Sequence, residues 1–130
     1  MAGTLTISTL SDGTNSTSST NCIQGSAKAW VKWTGSTGAV LNSYNVSSIT
    51  RASTGNYFVN FTNALPNANY AVSASGSAGA LSQPPFINYY GTGSVQYTAP
   101  TTSGFYLGIL NYNVSAYYDP TIVTATINSN

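Results

Sequence analysis

Apolar and polar residues alternate along most of this chain, and the alternation limits it to folds built from β-strands. The segment from Ala27 to Trp33 is the clearest case, because its apolar residues at alternate positions share one face, while Lys28, Trp30 and Lys32 share the other. A repeat of two residues is the period of a strand, in which successive side chains point to opposite faces. The same pattern predicts strands over residues 40–46, 57–61, 70–74, 86–90, 94–98, 105–118 and 121–127.

Turn-forming residues separate these segments. Gly35 to Gly38 is predicted to join two strands, and Thr54-Gly55-Asn56 to form a hairpin-like turn; further turn sequences occur at 65–67, 83–85, 91–93 and 119–120. Residues that favour helices are scarce, since Glu is absent and Gly is scattered throughout. Eight or more short strands at this spacing predict an all-β protein, an antiparallel β-sandwich or jelly-roll-like fold.

The first 25 residues differ from the remainder. Residues 11–20 are mostly Ser, Thr, Asn and Gly and offer little to bury. We predict an extended N-terminal arm or anchoring segment over residues 1–25, and a single β-sandwich domain over residues 26–130. The arm is interpreted either as an anchor to another protein or as a frayed end of the chain.

Charged side chains are unusually few, at 4% of the sequence against about a quarter in an average soluble domain. Histidine is absent, and both acidic residues, Asp12 and Asp119, stand next to turn-forming residues. Acid–base catalysis generally needs histidine or paired carboxylates, and the lone Cys22 cannot complete a zinc site with two aspartates. We therefore predict that the protein is not an enzyme and has no catalytic residues, no metal site and no cofactor.

The remaining composition bears on partners. The chain has only three cationic side chains and a net charge of +1, which is too little positive charge for a nucleic-acid-binding protein. Membrane insertion is not predicted either, because the sequence contains no apolar run of 18 residues. The surface is instead expected to consist of small neutral side chains, because 19 Ser, 18 Thr and 14 Asn occur among the 130 residues. A net charge near zero favours association, so we expect the chain to work within an assembly.

Aromatic residues supply the candidate contact sites. The doublets Tyr89-Tyr90 and Tyr117-Tyr118 lie beside turns, and in a strand one member of each pair would face outward. These four tyrosines are candidates for surface contact with sugars or proteins, or alternatively for packing in the core or a subunit interface. Trp30, between two lysines, is either part of an exposed cation–aromatic patch or, as we prefer, a residue at a subunit interface.

Residues 25–72 resemble a module found in tail-fibre and other virion proteins of tailed bacteriophages, especially marine and cyanobacterial ones. The resemblance rests on four blocks in order: GSAKAWVKW (25–33), SYNVSSITR (43–51), TGNYFVNF (54–61) and ALPNANYAV (64–72). It implies a structural and recognition role and a location on the phage particle. It identifies no binding residues.

Together these observations predict a non-enzymatic virion structural protein, a homotrimeric fibre or spike tip that attaches the particle to a glycan or protein of the host surface. The N-terminal arm would contact other virion proteins. A capsid or tail decoration protein without a host-binding role is the alternative, and a carbohydrate-binding module is the second alternative.

Overall fold

The computed structural model describes residues 3–77, 86–89, 91–92, 96–111 and 116–129. Most of the regular structure of these residues consists of β-strands, and one short helix is also present among them. In chain order the elements are β1 (Thr9–Ser11), β2 (Ser16–Ser18), α1 (Ser19–Gly25), β3 (Ala27–Trp33), β4 (Val40–Tyr44), β5 (Val46–Ser53), β6 (Asn56–Phe61), β7 (Ala71–Gly76), β8 (Phe86–Tyr89), β9 (Gly91–Thr92), β10 (Gln96–Tyr97), β11 (Gly104–Leu110) and β12 (Val123–Asn128).

Two four-stranded antiparallel sheets make up the body of the protein. The first sheet has the order β4-β3-β12-β7, and the second has the order β5-β6-β11-β8. The late strands β12 and β11 therefore lie inside their sheets, each between two strands made earlier in the chain. The predicted all-β antiparallel β-sandwich is confirmed, while its jelly-roll-like character stays a prediction.

The core lies between the inward faces of the two sheets, as the two-residue alternation requires. In β3 the side chains of Ala29, Val31 and Trp33 are buried, and Trp30 and Lys32 on the opposite face are exposed. The rings of Trp33 and Tyr57 meet edge-on across the sandwich, with centroids 5.6 Å apart. Further buried side chains come from β6, β11 and β12: Val59, Phe61, Phe105, Leu107, Ile109, Val123, Ala125 and Ile127.

The chain passes from the first sheet to the second at Asn45, which corrects the prediction of one continuous strand over residues 40–46. Asn45 has a φ of 54°, a left-handed conformation that Asn tolerates better than most residues. Its side-chain amide donates to the carbonyls of Lys28 and Asn63 at 3.2 Å each and accepts from the Asn63 N–H at 2.8 Å. Period-two alternation does not reveal this corner, because Tyr44 and Val46 still alternate with the polar residues around them.

The described part of the predicted arm, residues 3–25, contains the β1–β2 hairpin and α1. None of these residues is buried, although Ser19 and Cys22 are half-buried. Helix α1 begins after Ser18, whose hydroxyl accepts from the Asn21 N–H at 3.1 Å. Such a cap favours a helix, which the near absence of helix formers did not predict. Within the described residues, α1 is too short to cross a membrane, and no longer apolar helix occurs.

Candidate functional site

Two exposed aromatic side chains lie next to each other on the outer face of the first sheet. Trp30 in β3 is paired in register with Tyr44 in β4, and the two residues are 37% and 58% exposed. Directly opposed residues of antiparallel strands have Cβ atoms about 5 Å apart. The indole and the phenol therefore form an adjacent pair that faces away from the core.

The next row of the same two strands adds an amine and an amide. Lys32 is paired with Asn42, and both are exposed. Because each is two residues from a member of the aromatic pair, all four side chains share one face. The Lys32 amine makes no hydrogen bond or ion pair within the part of the chain that the structure describes. We call Trp30, Lys32, Asn42 and Tyr44 the platform.

Small hydroxyl side chains extend this face across the sheet. Thr126 of β12 is paired with Trp30, and Thr124 is paired with Lys32. Ser73 and Ser75 of β7 follow in the same two rows. All four hydroxyl residues are exposed, so the outer face beyond the platform is neutral and hydrophilic.

A small polar pocket opens beside the platform. Its volume is about 270 Å³, and it is lined by Tyr44, Asn45, Thr62 and Asn63. The Asn45 amide is engaged at the corner between the sheets. Within the described residues, the side chains of Tyr44, Thr62 and Asn63 form no hydrogen bond. The pocket therefore offers two hydroxyls and one amide to a ligand.

Two larger hollows lie in the N-terminal segment. One, of about 480 Å³, follows the β1–β2 hairpin and is lined only by exposed hairpin residues, from Leu10 to Thr17. The other, of about 350 Å³, has an apolar lining that includes Leu5, Ile7, Leu10, Cys22 and Ile23. Neither contains a charged group other than Asp12. These hollows have greater volume than the polar pocket, but their exposed surface is mainly apolar, whereas that of the polar pocket is more than half polar.

The charged groups outside the platform are bound within the protein. Arg51 forms an ion pair with Asp119, with 2.6 Å between Nη2 and Oδ2. The same carboxylate accepts from the Gly55 N–H at 2.8 Å and from the Tyr57 hydroxyl at 2.7 Å. Gly55 is required here, since its φ is 65° and a Cβ would lie 2.5 Å from the Ile109 carbonyl oxygen.

These bonds also set the ionisation of Asp119. Partial burial, the largest single influence, would raise the pKa of the carboxyl. The hydrogen bonds from Arg51, Gly55 and Tyr57, together with the charge of Arg51, outweigh it and hold the pKa of Asp119 below its usual value. Burial raises the pKa of the Tyr57 hydroxyl, as does its bond to Asp119. Asp119 is therefore an ionised structural acceptor with its oxygens occupied.

Asp12 has a comparable structural role in the β1–β2 turn. Its Oδ1 accepts from the Thr14 and Asn15 N–H groups at 2.9 and 2.7 Å, and these bonds, that of Asn15 foremost, lower the pKa of the carboxyl. Asp12 thus occupies the turn position that the sequence predicts, whereas Asp119 binds groups of the β5–β6 turn from the connection between β11 and β12. Among the described residues, no three His, Cys, Asp or Glu side chains come together as a metal site would require.

The predicted tyrosines are not brought together with Trp30. Tyr117 is half-buried and bridges to Leu110, next to the second sheet. Tyr118 is half-buried against the core, its hydroxyl donates to the Ser77 carbonyl, and burial raises the pKa of that hydroxyl. The backbone of Tyr89 lies in β8. The Tyr89 side chain and all of Tyr90 lie outside the described residues.

A second outward aromatic pair occurs on the second sheet. Phe58 and Tyr106 are paired across β6 and β11, with ring centroids 4.7 Å apart. Both are half-buried, and the Phe58 ring covers Gly104, where a Cβ would come within 2.8 Å of it. The rings are packed on the sheet and on each other, and are less accessible than the aromatic pair of the platform.

Sequence reasoning identified Trp30 and Lys32 but missed the other components of the site: Asn42, Tyr44, Thr62 and Asn63. The available signal was the predicted turn at Gly35 to Gly38. A hairpin closed there brings the strand that contains Tyr44 alongside Trp30. The pocket had no such signal, because Thr62 and Asn63 reach Tyr44 only through the corner at Asn45. Searches of protein-family models, of curated proteins and of solved structures found no match to this chain.

Proposed function

We propose that this protein is a non-enzymatic structural protein of a tailed-phage virion, the tip of a fibre or spike that attaches the particle to the host surface. The observation that carries the proposal is the platform, an exposed aromatic pair with an unpaired amine, which continues across the sheet into Thr and Ser side chains. Exposed Trp and Tyr are typical of recognition surfaces, because they offer large contact areas with little loss of conformational entropy. The resemblance of residues 25–72 supports it, since that segment contains both platform strands.

A role without catalysis is part of the proposal. The chain has only two carboxylates and no histidine. Asp119 is bound by Arg51, Gly55 and Tyr57, and Asp12 by its own turn. A general acid or base must reach a proton of the substrate, and both carboxylates are already engaged in turns and hydrogen bonds that shape the fold.

The proposed assembly is a homotrimer on the surface of the phage particle. The net charge of +1 gives little repulsion between copies, and cyclic symmetry lets a small chain build a larger tip. Trp30 would contact either a second subunit or a ligand, because both would occupy the same face of the sheet. The exposed Ser and Thr residues beside it favour a ligand, because Ser is depleted at protein–protein interfaces.

A decoration or adaptor protein of the capsid or tail is the second candidate. It is favoured by the N-terminal segment, in which Leu5, Leu10 and Ile23 are 80%, 53% and 64% exposed. Exposed apolar side chains in such a cluster are typical of protein contact sites. In either role this segment would hold another virion protein. A carbohydrate-binding module, the third candidate, would use the same platform.

The deciding experiment uses intact particles together with the purified full-length protein. Gold-labelled antibody locates the protein by electron microscopy, and an excess of purified protein is added to susceptible cells before the phage. We expect labelling at a fibre or spike tip and slower adsorption. Labelling spread over the capsid, with unchanged adsorption, would favour decoration. Leu10→Ser is expected to reduce incorporation into particles, and Trp30→Ala to abolish the competition for cells.

A further inference from the structure

We propose that the platform and the adjacent pocket bind an acidic polysaccharide that contains uronic acid. A sugar ring would stack on the aromatic pair, with its carboxylate against Lys32. The inference rests on the proposed function and specifies the class of host-surface ligand. It depends on three features of the described residues: the aromatic pair, the unpaired amine, and the hydrogen-bonding groups of the pocket.

The aromatic pair suits the apolar face of a sugar ring. Trp30 and Tyr44 lie side by side on adjacent strands and present flat ring surfaces with one polar group each. No bulky side chain borders them on β12 and β7, where the same rows continue with Thr and Ser. An extended chain can therefore cross the strands and exchange hydrogen bonds with those hydroxyls.

Charge on this face favours an anionic ligand. The Lys32 amine has no partner within the described residues, and both carboxylates of the chain are engaged elsewhere, one by Arg51 and one by the β1–β2 turn. Lys28 is on the same face, but its amine donates to the Ile23 carbonyl and to the Ser26 hydroxyl. One free amine beside two rings matches one carboxylate per bound sugar ring, and is too little charge for a nucleic-acid backbone.

The pocket beside Tyr44 would hold one further sugar ring. Its volume of about 270 Å³ is just below the range of sites for drug-sized molecules. The Thr62 hydroxyl and the Asn63 amide face it and make no hydrogen bond within the described residues. Because sugar hydroxyls both donate and accept, they match these two groups.

The test measures binding of the purified full-length protein to three uronate polymers: polygalacturonate, alginate and hyaluronan. Calorimetry gives the affinities, and carboxyl-reduced polygalacturonate is the matched neutral probe. We expect binding to at least one uronate polymer and about tenfold weaker binding to the reduced probe. Trp30→Ala and Tyr44→Ala should each weaken binding about tenfold, and Lys32→Gln should remove the preference for the acidic polymer.

Two variants serve as matched controls. Lys28→Gln removes an amine from the same strand and should leave the preference for uronate unchanged, because that amine already has partners. Tyr106→Ala removes an aromatic ring from the opposite sheet and should leave affinity unchanged. Circular dichroism checks that each variant is folded. If Trp30→Ala is unstable, Trp30→Phe is measured in its place, and it should retain most of the affinity.

Each contrary result has a definite meaning. Failure to bind any of the three polymers, while the protein still slows phage adsorption, would overturn the ligand class and leave the proposed function intact. Failure in both assays would overturn both. Equal loss of preference in Lys28→Gln and Lys32→Gln would refute the role of Lys32. Dissociation of an oligomer by Trp30→Ala, with unchanged polymer binding, would assign the platform to a subunit contact.

Discussion

The hydroxyl of Tyr57 donates to the carboxylate of Asp119, with 2.7 Å between the two oxygens, although 62 positions separate them in the sequence. Tyr57 is fully buried in β6, and Asp119 lies in the connection from β11 to β12. That connection passes from the second sheet to the first. The bond, together with the Arg51 ion pair and the Gly55 N–H, therefore fixes the crossover against the β5–β6 turn.

Asp119→Asn is expected to lower the free energy of unfolding by about 1–2 kcal/mol. The substitution removes the negative charge that pairs with Arg51. The NH₂ group of Asn would also face a donor at either position, Arg51 Nη2 at Oδ2 or the Gly55 N–H and the Tyr57 hydroxyl at Oδ1, so one set of hydrogen bonds is lost. Chemical denaturation followed by tryptophan fluorescence measures the change. Asp12→Asn is the control: it affects only an exposed turn, and its loss should be smaller. An equal loss in both variants would contradict a special role for Asp119.

Stability should fall at acid pH and stay nearly constant around neutrality. The pKa of Asp119 is lower in the folded than in the unfolded chain, so its contribution is present above the unfolded pKa and is lost as pH falls through the folded one. We expect the decrease below about pH 4, and a smaller one in Asp119→Asn. Because the chain has no histidine, a transition near pH 6 in denaturation experiments would argue against this account.

Gly55→Ala is expected to cost about 2 kcal/mol or more. The residue has a φ of 65°, and an added Cβ would lie 2.5 Å from the Ile109 carbonyl oxygen and 2.6 Å from the Tyr118 nitrogen. Thermal unfolding measures the effect. Gly25→Ala is the matched control, since a Cβ there meets nothing within 4 Å. The explanation fails if the two substitutions shift the melting temperature equally.

Asn45 contributes through both its backbone conformation and its side chain, and two substitutions separate them. Asn45→Gly keeps the left-handed backbone and loses three side-chain hydrogen bonds, at a cost of about 2–3 kcal/mol. Asn45→Ala also strains the backbone, which adds roughly another 1 kcal/mol. Urea denaturation should therefore rank stability as wild type, then Gly, then Ala. If Asn45→Ala is more stable than Asn45→Gly, the left-handed backbone conformation is not what determines stability at this position.

The two tryptophans should differ in solvent access. Trp30 is 37% exposed and Trp33 is fully buried. In Trp30→Phe the remaining emission is expected to be blue-shifted and little quenched by iodide. Trp33→Phe should leave a red-shifted, readily quenched signal. If iodide quenches neither indole in the wild-type protein, Trp30 is covered in solution and the platform is not free to bind.

The alternation of residues predicted the strands of the core but not their partners. Ala27–Trp33 is observed with the predicted bounds, because its alternation is uninterrupted from end to end. The prediction of one strand over residues 40–46 was wrong, because a single left-handed residue, Asn45, moves the chain to the other sheet without breaking the alternation. Local patterns report which side of a strand is apolar, whereas sheet membership depends on backbone angles at single residues.

The site was only half predicted for the same reason. Trp30 and Lys32 stand out within one strand, but Asn42 and Tyr44 join them through cross-strand register. The Tyr117-Tyr118 doublet was a surface candidate because it lies beside a turn and one member would face outward in a strand, with packing in the core or an interface as the alternative. In the structure the Tyr118 hydroxyl bonds the Ser77 carbonyl, 41 positions away. No sequence signal marks such a long-range contact. The role of Asp12 in its turn was predictable from the glycine that follows it, whereas the bonds of Asp119 to Arg51, Gly55 and Tyr57 join distant parts of the sequence and were not.

The interior positions of β11 and β12 determine when this protein can fold. In the first sheet β12 is the strand that joins β3 to β7, and in the second sheet β11 is the strand that joins β6 to β8. When synthesis has reached residue 100, neither of these central strands has been made. Up to that point β3 and β6 each have only one neighbouring strand, β4 and β5, and the four charges present give little protection against aggregation. Neither sheet can therefore be completed before its central strand is made, and the last of these, β12, ends at Asn128.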